Sequence, residues 1–161
     1  MRLFWALFIL CCALVFGQTA PEDKNLAALG VSYQPGGSPA LAGTGLYARQ
    51  LIASSGTYAF TAMDGIPEAG VKPFTVTTGT AVGVAQRILT IGAIGIYVPL
   101  AAGFSYTGTN TGWVWTTGAL AVIPVGATSW RVMPDFRAVK SSVGSQQGYS
   151  VIAGVLFGWG W

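Results

Sequence analysis

Arg131, Asp135 and Arg137 fall at even separations in a stretch otherwise poor in charge. On a strand such positions project to one face, where guanidinium and carboxylate groups either pair with each other or line a polar path. Arg49, with Tyr47, has the parity opposite to Leu46 and Ala48 and repeats the arrangement. The four charges Arg49, Arg131, Asp135 and Arg137 are therefore read as one interior cluster. Two uses compete: a conducting or ligand-binding lining, and an internal network of Asp135 with Arg131 or Arg137 that neutralises buried charge. Catalysis is not expected. The chain has no histidine, which removes imidazole general-base chemistry and imidazole metal ligation. Its acids, Glu22, Asp23, Asp64, Glu68 and Asp135, assemble no acid–base pair at a workable spacing. Gly79-Thr-Ala-Val-Gly83 lacks both the lysine and the following helix of a phosphate cradle. No catalytic residue, cofactor or metal is expected.

Strands must position these charges. Tyr149, Val151, Ala153, Val155, Phe157, Trp159 and Trp161 occupy alternate positions, with smaller residues on average between them. A period of two makes this one broad apolar face ending in aromatics. Such a face suits a transmembrane β-barrel, in which it meets lipid and the last strand closes on the first. Arg or Lys on a lipid face costs about 2–4 kcal/mol at mid-depth, so the charged parity of the 127–139 strand must point inward. No charge occurs between Arg87 and Arg131. That interval reads either as two membrane helices or as membrane strands. Gly92, Gly95, Pro99 and Gly103 amid β-branched residues, and the alternation of Trp113, Trp115, Thr117, Ala119 and Ala121, favour strands.

Turn signals divide the chain into eight candidate strands near 24–34, 41–52, 56–63, 71–84, 88–104, 112–123, 127–139 and 148–161. The breakers include Asp64 to Gly70, a tight turn near Gln86-Arg87, Ser105 to Thr111 and Lys140 to Gly148. Counted from a periplasmic N-terminus, the third, fifth and seventh links are the longer polar ones and face outside. Tyr33, Tyr58, Trp113, Trp115 and Trp130, with Tyr149, Trp159 and Trp161, fit interfacial girdles better than a sugar platform.

The N-terminus reads as a secretory signal peptide. Arg2 precedes an apolar run from Leu3 to Gly17, too short for a membrane helix of about 20 residues. Residues 1–17 are assigned to the signal, with cleavage after Gly17 or as late as Ala20. Residues 18–161 are assigned to one barrel domain. Cys11 and Cys12 lie in the signal, so the exported chain carries no thiol. Charged residues are 8% of the chain, against about 25% in an ordinary soluble domain. The 8 Lys and Arg are scattered, which argues against nucleic acid.

In size, strand count and loop asymmetry the exported chain resembles the small OmpA/OmpX-like bacterial outer-membrane barrels. The most specific element is the terminal strand with Tyr149, Phe157, Trp159 and Trp161. The resemblance implies that this strand is the signal read by the barrel-assembly machinery; Trp161 stands where most members have Phe. It also implies Sec-dependent export to the outer membrane, the lipid bilayer as partner, and a monomer. The expected fold is all-β: an eight-stranded antiparallel transmembrane up-and-down barrel after a cleaved signal peptide. The expected function is non-enzymatic, in envelope integrity or in surface interaction with an unspecified extracellular ligand through outer loops such as Ser105–Gly112 and Ser141–Gly148. The alternative is a narrow porin-like channel for small or hydrophobic solutes.

Overall fold

The computed structural model describes residues 23–34, 40–67, 76–107, 110–143 and 146–161. The signal-peptide assignment lies outside the described residues, as do the links 35–39, 68–75, 108–109 and 144–145. Eight strands follow in chain order. They are β1 (Asn25–Gln34), β2 (Ala40–Ile52), β3 (Thr57–Pro67), β4 (Val76–Ile91), β5 (Ile94–Thr107), β6 (Asn110–Pro124), β7 (Trp130–Val143) and β8 (Gln146–Gly160). Each pairs antiparallel with its sequence neighbours, and β8 pairs with β1, closing an up-and-down barrel. The seam continues past β8: the Asn25 and Trp161 amides donate to each other's carbonyls at 2.9 and 3.0 Å. Closure leaves no unpaired edge. Among the described residues no helix is long and apolar enough to cross a membrane, and those of the 88–123 interval are strand apart from the turn at Gly92-Ala93.

Alternation sorts the side chains radially, with the usual order of soluble proteins inverted. Phe60, Met133, Ile152 and Leu156 fill the interior beside many alanines, while the largest apolar side chains point outward. Leu29 is 74% exposed, Phe104 79% and Phe157 63%. An eight-stranded barrel has an interior only wide enough for side chains to fill, so small residues on the inner face are a geometric requirement. Two of the barrel's glycines show how closely paired strands approach. A Cβ on Gly83 would strike the Leu100 carbonyl and Ala101, and one on Gly103 would strike the Thr80 carbonyl. The two positions lie on the mutually paired strands β4 and β5, where the backbones approach too closely for any side chain.

The structure corrects several strand boundaries. β4 does not turn at Gln86-Arg87: its register shifts between Arg87 and Leu89, and it continues to Ile91. The turn falls at Gly92, whose φ of +58° is the left-handed conformation that glycine adopts without strain. A bulge rather than a turn accommodates the charge at Arg87. β3 extends to Pro67 and carries Asp64 as a paired residue opposite Thr44 and Gly79. Ser105 to Thr107 pair with Asn110 to Gly112, and Lys140 to Val143 with Gln146 to Tyr149. Both supposed outer loops are thus mostly strand. Their Thr and Ser residues, read as polar linkers, are also compatible with a pleated backbone when every ladder bond is made.

The end of the barrel holding Asn25 and Trp161 is called here the terminal end, and the end at Thr107 and Asn110 the distal end.

Candidate functional site

The inward positions of β7 are Arg131, Met133, Asp135, Arg137 and Val139, all buried. Strand pleating puts them on one line, and the lumen then selects their partners. Arg137 is the centre. Its Nε donates to Asp135 Oδ1 at 2.9 Å and Oδ2 at 2.8 Å. Its Nη1 and Nη2 cross the lumen to Asp64 Oδ2 and Oδ1 at 3.0 and 2.8 Å. Asp64 also accepts from the Thr44 hydroxyl at 3.0 Å. That commits the Thr44 proton, so the Ser32 hydroxyl donates to Thr44 Oγ1 at 2.9 Å. Four strands, β1, β2, β3 and β7, are tied by one buried polar chain. The Arg137 side chain has 0% exposure and Asp135 likewise 0%. Asp64 meets the two Nη groups bidentately while Asp135 shares the single Nε–H between its oxygens, so one planar guanidinium holds two carboxylates, a geometry that lysine does not offer.

Arg131 does not join this group. Its Nε and Nη2 hold Asp23 in a bidentate pair, both at 2.7 Å, and its Nη1 donates to the Thr128 and Trp130 carbonyls. Asp23 precedes β1, and its carbonyl accepts from the Tyr58 hydroxyl at 3.1 Å. This clamp pins the chain entering β1 across the terminal end. A Cβ on Gly160 would land on the Asp23 carboxylate, so the glycine leaves its place open.

Two assignments are overturned. Arg49 is not in the lumen: the inward residues of β2 are Thr44, Leu46 and Ala48, and Arg49 is exposed on the outer rim beside Lys24, Asn25 and Gln50. Tyr58 is not a girdle residue: it is 5% exposed, faces the lumen, and packs edge-on against Tyr97 with centroids 5.5 Å apart. The other tryptophans and tyrosines assigned to the girdles point outward, in two sets. Tyr33, Trp113 and Tyr149 are exposed towards the distal end, with Trp115 half-buried near them. Lys140 lies over the rings of Trp113 at 5.5 Å and Tyr149 at 4.8 Å. Trp130, Trp159 and Trp161 are exposed at the terminal end, the first two meeting edge-to-face at 5.1 Å. Tyr149, Phe157, Trp159 and Trp161 thus share the outer face of the last strand and its end.

Asp64 and Asp23 were missed as partners. Asp64 shares its parity with Tyr58, Phe60 and Ala62, a signal hidden by reading Asp-Gly as a turn. Asp23 precedes the first strand, and no local pattern marks it. Compared with known proteins, the chain matches no family model and no curated relative.

Proposed function

We propose that this chain is a non-enzymatic bacterial outer-membrane barrel with a closed lumen, similar in plan to the OmpA/OmpX-like proteins and serving envelope integrity. In this reading it is exported through the Sec pathway, assembled by the barrel-assembly machinery through its aromatic last strand, and works as a monomer. The observation that carries it is the sorting of side chains: large apolar side chains cover the outside, while the charges of Asp64, Asp135 and Arg137 are held inside in one network among small and apolar residues. A surface of that kind is costly in water and favourable in hydrocarbon. The arginine of the network is spent on protein partners rather than on a path for ions, which favours closure over the channel alternative. Surface interaction has less to rest on, because the stretches Ser105–Gly112 and Ser141–Gly148 are largely paired backbone.

Two measurements test this. Membrane fractionation should place the protein in the outer membrane, with a band that migrates differently when boiled; an unshifted band in the inner-membrane fraction would overturn the location. Planar bilayers should show no reproducible unit currents. A steady conductance that changes on Arg137→Ala would overturn closure.

A further inference from the structure

Near the terminal end of the lumen the side chains do not meet, and a cavity of about 330 Å³ remains. Small-molecule sites begin at about 300 Å³ and favour the mouths of barrels. Strands β1 to β7 each contribute to the lining, so the space lies within the barrel wall rather than on it. Short side chains create it. In the filled part of the lumen Met133, Ile152 and Leu156 are fully buried. Towards the terminal end the inward positions of β2, β4 and β5 include Ala48, Ala85 and Gly95. Gly95 also decides where Tyr97 lies. A Cβ there would be 2.7 Å from the ring, so the ring rests back against its own strand and the mouth stays open. Tyr58 meets Tyr97 edge-on, with ring planes at 85°, and the two make an aromatic corner. Leu26, Phe60, Leu120 and Val122 complete an apolar surround.

Among the described residues the charged lining is Asp23, Arg87 and Arg131, and each is engaged within the protein. Asp23 and Arg131 hold each other bidentately, both contacts at 2.7 Å. Arg87 has an interaction of its own. A ligand that carried a charge into this space would either leave it without a counter-ion or break an interaction already made. Both are costly where water is scarce. An uncharged ligand incurs neither cost, and its apolar surface leaves water together with that of the walls. The cavity is blind: two inward positions beyond Phe60, Asp64 joins the buried network that crosses the lumen. Entry is from the terminal end.

We infer that this mouth binds a compact, uncharged aromatic molecule, its ring set against the tyrosine corner and the alanine-lined wall. Edge-to-face contact with Tyr58 or Tyr97 favours an aromatic guest over an aliphatic one of equal size. The site goes beyond the closed-barrel reading and requires only the barrel fold.

The test titrates the full barrel, in lipid nanodiscs, with uncharged 2-naphthol and with anionic 2-naphthoate, following amide and methyl resonances. Naphthol should bind saturably, shift the Ala85 and Gly95 amides, and give nuclear Overhauser contacts to the Ala48 and Ala85 methyls. Naphthoate should bind at least about tenfold more weakly, because the cations at the mouth are already engaged. Ala48→Leu and Ala85→Leu fill the cavity, and Gly95→Val drives the Tyr97 ring into it. Each variant, checked for folding by heat-shifted mobility, should abolish saturable binding. Shifts confined to outward residues such as Leu29 and Phe104, which would report probe dissolved in the lipid, would overturn the site. So would naphthoate binding as tightly as naphthol, or saturable binding that survives the folded variants. Where a variant does not fold, the Overhauser contacts and the comparison of the two probes on the parent barrel decide. Exclusion of a soluble, folded barrel from nanodiscs would instead refute the membrane reading, and the same titration would then decide the site in aqueous buffer.

Discussion

Replacing Arg137 by methionine removes the cation between Asp64 and Asp135 while retaining a long unbranched side chain. Three charged N–H donors are lost, at contacts of 2.8–3.0 Å: Nη1 and Nη2 to Asp64, and Nε shared between the two oxygens of Asp135. Asp64 keeps the Thr44 hydroxyl, at 3.0 Å. A buried acceptor that loses its donor costs about 1–3 kcal/mol, and more when charged. Removing one partner of a buried ion pair typically costs about 3–5 kcal/mol. Methionine keeps most of the packing, so about 3–5 kcal/mol is the expected loss for the single variant. The triple variant Asp64→Asn, Asp135→Asn, Arg137→Met removes the charge altogether and should return to within about 1–2 kcal/mol of the parent, because no ion is left without its partner. Urea unfolding of vesicle-inserted protein, followed by tryptophan fluorescence and by cold-versus-boiled gel mobility, measures both. A single-variant cost below about 1 kcal/mol would mean that water solvates the carboxylates in place of Arg137. That result would refute a dry, filled lumen and revive the channel reading.

Three further outcomes are expected. Gly83→Ala should destabilise by about 1–3 kcal/mol, because its Cβ collides with the Leu100 carbonyl and Ala101, whereas Gly43→Ala, which meets nothing within 4 Å, should be neutral or stabilising by up to about 1 kcal/mol; equal effects in urea unfolding would contradict the close approach of β4 and β5. Leu29→Arg should cost about 2–4 kcal/mol in bilayers if that wall faces hydrocarbon, while Arg49→Ala at the rim should stay within about 0.5 kcal/mol; the same assay showing no penalty at Leu29 would remove the lipid-facing assignment. A double-mutant cycle of Trp130→Ala and Trp159→Ala should give a coupling of about 0.5–1.5 kcal/mol from their edge-to-face contact, and zero coupling would show that the rings do not pair.

Local alternation made much of this architecture legible. The inward line of Arg131, Asp135 and Arg137 and the outward line from Tyr149 to Trp161 follow from pleating, which depends on neighbours in the chain alone. The number of strands and their approximate places followed from the same pattern interrupted by glycine and proline. Where parity was assigned from a single polar neighbour it failed: Arg49 was grouped with Tyr47, although the pairing of Thr44 opposite Asp64 turns the other parity of β2 inward. Polarity was also a poor guide to turns. Arg87 sits at a bulge, and the Ser- and Thr-rich stretches remain paired.

Sequence by itself determined which residues share a face, because a strand's period is a property of its own backbone. Only the closed barrel decided which face is inside and which charges meet. Asp64 and Arg137 are 73 residues apart, and Asp23 and Arg131 are 108. Pairs so remote have no local signature. They form because eight strands wrapped to a narrow radius bring a buried arginine within reach of carboxylates on other strands.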